Sequence, residues 1–221
     1  MEFDFDTLKA RQRAIRHTFP EGLGLRVHRA LSWFQRAEME DGDHDARFTF
    51  LWIAFNAAYA HELPDRASQT EKDLFLKFLQ KLIDLDKQDR LYGLLWTKFS
   101  SSVRLILENP YVYQPFWDFH AGLANGEDWE ERFRKSRLAA QQAIASKDTL
   151  KVLRLVLDRL YVLRNQLVHG GATWNSKVNR EQMRDGARFM ADLVPLVIHL
   201  MMENPDELWG APSYPVVESV A

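Results

Sequence analysis

Between Asp148 and Gly170 the apolar residues Leu150, Leu153, Leu157, Leu160, Leu163, Leu167 and Val168 recur at intervals that suit only a helix. Side chains rotate by roughly 100° per residue on an α-helix. The leucine spacing therefore predicts one broad apolar face on one long helix. Asp148 is placed to cap a helix that starts at Thr149, and Gly170-Gly171 to stop it. Lys151, Arg154, Asp158, Asn165 and His169 fall on the other side. One residue departs from this pattern. Arg164 takes the next place in the rhythm of Leu153, Leu157 and Leu160. A guanidinium stays charged at any ordinary pH, and burying it unpaired is very costly. Arg164 must pair with a carboxylate such as Asp158, line a wet cavity, or face another subunit.

Helical periodicity extends along most of the chain. Leu25 to Met39 reads as a first long helix, followed by a loop from Asp41 to Asp45. Ala46 to Ala60 is apolar round most of its circumference, with Phe48, Leu51, Trp52, Phe55 and Tyr59 in a 3–4 pattern, so it belongs at the centre. Pro64 ends that section. Two amphipathic helices are expected at Glu71 to Leu85 and Asp89 to Leu107, the second broken by Asn109-Pro110. Tyr111 to Gly126 reads as irregular and aromatic-rich, and Trp129 to Ser146 as a charged helix. Val178 to Glu203 is the last long helix, with a kink expected at Pro195. The predicted fold is all-α, an up-and-down helical bundle with additional inserted helices. Residues 1–204 are expected to form a single helical domain and 205–221 an extended, proline-containing tail.

Composition narrows the function classes. A chain of 221 residues, 46% hydrophobic and 27% charged, can bury a full core as one domain. With no cysteine it has no disulfide, thiolate metal site or cysteine nucleophile, and it suits a reducing, cytoplasmic setting. The acidic N-terminus has no signal-peptide pattern, and no apolar run reaches the ~18 residues of a membrane span. The net charge of -2 gives no global pull on nucleic acid, so any RNA contact must come from a local patch or a dimer groove. The seven histidines are scattered without metal-ligand spacing, and neither a metal nor a cofactor is expected. Asp41, Asp43 and Asp45 follow the opening of a calcium loop, but Trp52 stands where that loop needs a glutamate, so they read as solvated turn acids. Gly22-Leu23-Gly24 lacks the rest of a phosphate-loop fingerprint, and Glu130 to Arg137 reads as a solvated helix face.

The segment Arg164-Asn165-Gln166-Leu167-Val168-His169 resembles the Arg-x4–6-His motif of HEPN domains, including the asparagine after the arginine. The helix around Phe50-Leu51-Trp52-Ile53-Ala54-Phe55-Asn56-Ala57-Ala58-Tyr59 resembles the early helix of HEPN proteins of the ApeA-like kind. The resemblance implies a metal-independent endoribonuclease that works as a homodimer with a composite active site. Arg164 would then face the second subunit's motif. The residue types suit attack by an RNA 2′-hydroxyl on the adjacent phosphate. His169 moves protons near neutral pH, Arg164 clamps phosphate oxygens, and Asn165 positions the histidine or the phosphate. The products would be a 2′,3′-cyclic phosphate and a 5′-hydroxyl.

The family resemblance also implies a toxin or phage-defence setting, with an antitoxin or regulatory protein as a further partner. Some HEPN toxins carry a tyrosine before the motif histidine, which a partner modifies; Val168 stands there in this chain and counts against that regulation. Two other readings stay open at this point. One is a catalytically inactive HEPN dimer that binds RNA or protein, and the other a plain helical interaction domain. Asn56 either enters the cleft beside Arg164 or makes a helix–helix hydrogen bond. Trp174, in the loop leaving the motif, is a candidate for base stacking, and Lys177 and Arg180 for phosphate contacts. His169 lies roughly 140° round an ideal helix from Arg164. If both serve one cleft, the last turn distorts near Gly170 or the two reach the phosphate from different sides of a dimer.

Overall fold

A computed structural model describes residues 3–59, 71–177, 179–210, 212 and 214, and all their regular elements are helical. The α-helices are α1 (Phe5–Ile15), α2 (Glu21–Glu38), α3 (His44–Tyr59), α4 (Glu71–Leu85) and α5 (Arg90–Gly93). After these come α6 (Ser100–Glu108), α7 (Gln114–His120), α8 (Trp129–Ala145), α9 (Thr149–Val168) and α10 (Arg180–Glu203). The all-α expectation holds. No helix of the described residues is long and apolar enough to cross a membrane.

The apolar circumference of α3 explains its place between α2 and α10. Phe48, Leu51, Ala54, Phe55 and Ala58 are fully buried there. Each large side chain among them contributes roughly 1.5–3 kcal/mol by leaving water. One turn of α10 comes very close to α9 at Gly186. A Cβ there would lie 2.9 Å from Leu160 Cδ2, 3.4 Å from Phe48 Cε2 and 3.5 Å from Leu163 Cδ2. The missing side chain lets α10, α9 and α3 meet at one point.

Several boundaries differ from the sequence reading. Helix α2 begins at Glu21, before Leu25, with Leu23 buried in its first turn and the extended Pro20 just before it. The expected helix from Asp89 to Leu107 is interrupted by a π-turn at Leu94–Lys98 and a non-helical Phe99. That break seats Phe99 edge-on against Phe189 of α10, with ring centroids 5.6 Å apart. The aromatic stretch holds a real helix, α7, with Pro115 in its first turn. Helix α10 runs on through Pro195. Ala60, Pro64 and Val178 lie outside the described residues.

The chain after α10 packs back on the bundle. Trp209 joins the core beside Phe78, and its indole donates to Asn204 O at 2.9 Å. Arg26 of α2 is fully buried and donates to Ala58 O at 3.0 Å and Gly210 O at 3.3 Å. It thereby ties the end of α3 to the tail, and burial holds its pKa down at about 10.

Candidate functional site at the end of the ninth helix

Local sequence sets both ends of α9. Asp148 Oδ1 accepts from Lys151 N at 2.9 Å, as expected of a capping aspartate. At the other end Gly170 takes a left-handed backbone with φ +68°. Its N–H donates to Leu167 O at 3.2 Å, and Ala172 N–H donates to Gln166 O at 3.2 Å. These bonds satisfy carbonyls that the helix end would leave open. His169 itself keeps the helical bond, its N–H donating to Asn165 O at 3.0 Å. The distortion begins after His169, so the separation of roughly 140° from Arg164 stands.

What lies inside that arc is informative. On the same wheel Val168, Tyr161 and Asn165 fall at roughly 40°, 60° and 100° from Arg164. Tyr161 and Val168 are each 51% exposed, and Asn165 is half-buried. Arg164 and His169 therefore border one open face, with Tyr161, Asn165 and Val168 between them. Val168 does not belong to the buried stripe where its spacing placed it, and Leu167 is only partly buried.

Arg164 is half-buried, and its Nη1 donates to Asn165 Oδ1 at 2.9 Å. Its guanidinium carbon lies 6.0 Å from the centre of the Tyr161 ring. Among the described residues no carboxylate pairs with it. Asp158 instead approaches Arg154, at 3.6 Å. The deeply buried arginine of α9 is Arg159, only 5% exposed. Arg159 lies 4.3 Å over the Tyr113 ring and 5.6 Å from that of Phe133, and donates to Ser136 Oγ at 3.0 Å. Burial draws its pKa down to about 10. The His169 ring is exposed and makes no hydrogen bond or ion pair among the described residues.

The loop leaving the motif is held from two sides. Gln166 donates to Tyr111 O at 2.7 Å and accepts from Asn179 Nδ2 at 3.2 Å. From the start of α3, Asp43 Oδ2 accepts from the Trp174 indole at 2.9 Å. Asp45 Oδ2 accepts from Asn175 N at 2.6 Å, and Asp45 pairs with Arg180 through both of its oxygens. Asp43 also caps α3, its Oδ1 taking the N–H groups of Asp45 and Ala46 at 3.0 Å. The Ala46 N–H is the chief reason that the Asp43 pKa sits below the ordinary 3.8. These two acids are structural clamps, not the solvated turn acids expected of them.

The site candidates thus separate. Arg164, Asn165 and His169 share the open face. Arg180 is committed to Asp45, while Lys177 is exposed and has no partner among the described residues. Trp174 is 73% exposed, with its indole N–H tied to Asp43. Asn56 is partly buried one turn beyond Trp52, and its amide makes no hydrogen bond among the described residues. The Trp52 ring lies 6.1 Å from that of Tyr161, which joins α3 to the motif face. Sequence reasoning passed over Tyr161, although its spacing to Asn165 and Val168 was a usable signal. In the Glu130 to Arg137 segment, Glu131 takes up Arg134 and Lys135 at 2.8 and 3.3 Å in exposed pairs, as a solvated face would.

Compared with known proteins, the chain matches no family model, no curated protein and no solved structure.

Proposed function

We propose that this chain is a metal-independent endoribonuclease of the HEPN type, acting as a homodimer with a composite site. The observation that carries the reading is the open face itself. Among the described residues it has a guanidinium without a carboxylate on one edge and an imidazole without a hydrogen bond on the other. A protein that only needed to fold would gain little from an arginine in this place of the leucine rhythm, half-buried and, among the described residues, held by Asn165 rather than by a carboxylate.

The chemistry follows from these groups. An imidazole takes the proton of the RNA 2′-hydroxyl, and the resulting oxyanion attacks the adjacent phosphorus. The P–O5′ bond breaks, and the leaving oxygen takes up a proton. The products are a 2′,3′-cyclic phosphate and a 5′-hydroxyl, with no water consumed. His169 exchanges the protons, and Arg164 neutralises charge on the phosphoryl oxygens. Asn165 fixes the direction of Arg164 through their hydrogen bond. With Arg164 and His169 on opposite edges of one face, two copies set face to face would offer an arginine of one chain and a histidine of the other to one phosphate. Asn56, Trp174 and Lys177 are the remaining candidates for holding the strand. Arg180 serves that purpose only by shaping the loop.

The biological setting that goes with the resemblance is a cytoplasmic toxin or phage-defence effector, restrained by an antitoxin or regulatory protein. An inactive dimer that binds RNA or protein is the second reading, favoured by the apolar exposure of Tyr161 and Val168. Incubation of the purified chain with total RNA in EDTA separates the two. Cleavage leaving cyclic phosphate ends, lost in His169→Ala with the fold retained, supports the enzyme. No cleavage of any RNA, together with normal growth on overexpression, refutes it.

A further inference from the structure

We infer that Tyr161 is a stacking platform for an unpaired base, so that the site takes RNA as a single strand. This inference rests on the proposed nuclease reading and deepens it.

Tyr161 is half exposed, yet its ring is supported from the protein side. Trp52 lies beneath it at 6.1 Å, inclined by 50°, and is itself buried at 6% exposure. Trp52 in turn meets Phe48 at 6.1 Å and Phe55 at 6.0 Å, two fully buried rings of α3. The platform is thus continuous with the core, and stacking on it costs little side-chain freedom. The phenol hydroxyl makes no hydrogen bond among the described residues. The Arg164 guanidinium lies over the ring at 6.0 Å, at the outer range of a cation–π contact, and brings a phosphate-binding fork to the platform.

Charge favours nucleic acid as the occupant. On the outward side of α9 Arg154 is matched by Asp158, while Arg164, next to the ring, has no carboxylate among the described residues. This local excess of positive charge sits on a chain whose net charge is -2. Aromatic stacking beside cations is how proteins hold single strands without reading a base edge. A duplex keeps its base faces covered by neighbouring bases and offers none to a protruding ring.

The test is binding in a His169→Ala background, where the strand stays intact. The probes are a fluorescein-labelled oligouridylate, an abasic ribose-phosphate strand of equal length, and an RNA duplex. Tyr161→Ala weakens oligouridylate binding by about tenfold or more, and Tyr161→Phe leaves it within about twofold. The abasic strand and the duplex bind more weakly and do not respond to Tyr161→Ala. With His169 restored, Tyr161→Ala raises KM more than it lowers kcat. Equal oligouridylate affinity in Tyr161→Ala and its parent overturns the inference. So does an equal loss on the abasic strand, or dissociation of a dimer by Tyr161→Ala in sedimentation, which would make the ring a contact between copies. If no RNA is cut yet base-dependent binding still requires Tyr161, the nuclease reading falls and the platform stands. If cleavage needs His169 but ignores Tyr161, the platform falls alone.

Discussion

Arg180 holds Asp45 with both arms of its guanidinium, Nη2 at 2.9 Å from Oδ1 and Nη1 at 3.1 Å from Oδ2. The contact joins residues 135 positions apart and closes the loop behind His169 against the start of α3. The same carboxylate takes the Asn175 N–H, so one buried acid fixes both a side chain and the backbone of the loop.

Asp45→Ala removes three bonds at once and leaves a partly buried Arg180 without its carboxylate. The expected loss is about 2–3 kcal/mol of stability, read as a lower midpoint in urea denaturation. A loss below about 0.5 kcal/mol, the usual size of a surface substitution, would show that the clamp is ornamental.

The neighbouring Asp43 carries a pH dependence. Its folded pKa is depressed below 3.8, chiefly by the Ala46 N–H and further by the Trp174 indole. A depressed carboxylate contributes stability that is present above its unfolded pKa and lost as pH falls through the folded one. The Trp174 indole N–H resonance should therefore hold its position from neutral pH to about 4, then move below the ordinary 3.8 as Asp43 protonates. Movement between pH 5 and 7 would contradict this assignment.

Arg159 is the costly cation of α9, and its Nε is buried without a hydrogen bond among the described residues. It gains the Ser136 bond and two aromatic faces but, among the described residues, no carboxylate at salt-bridge distance. Replacing such a group by an apolar one of similar length is often neutral or stabilising. Arg159→Met is expected to melt at or above the wild-type temperature, whereas Arg159→Ala melts lower because it leaves a cavity. A clear fall in Tm for the methionine variant would show that the aromatic contacts outweigh desolvation.

His169→Ala and Arg164→Lys test the site without disturbing the fold. His169 is exposed, so its removal should change stability by less than about 0.5 kcal/mol. RNA cleavage should fall by roughly 10²-fold or more, the usual weight of a general acid–base group. Arg164→Lys keeps the charge but loses the planar fork, and kcat should drop while Asn165 loses its fixed partner. Full activity in either variant would remove that residue from the mechanism.

Much of the fold was legible because helix formation is decided by neighbours in sequence. The leucine spacing, the Asp148 cap and the Gly170 stop predicted both ends of α9, and the apolar residues round most of α3 placed it centrally. The site was legible only in part. Arg164, Asn165 and His169 were visible as a motif, but which arginine of α9 is buried was not. The wheel assigned burial to Arg164, whereas α8 and the Tyr113 segment cover Arg159 and leave Arg164 at an open edge.

The sequence alone determined most of the helices, both ends of α9, and the arc of roughly 140° between Arg164 and His169. Those properties follow from backbone geometry and residues a few positions apart. Tertiary structure decided what occupies that arc and what is fixed behind it. Whether Tyr161 and Val168 face solvent depends on which helices pack alongside α9. Whether Asp45 is a loose turn acid or a buried clamp depends on Arg180, brought to it from the far end of the chain. A charge has no fixed role until the fold sets its distance from a partner and from water.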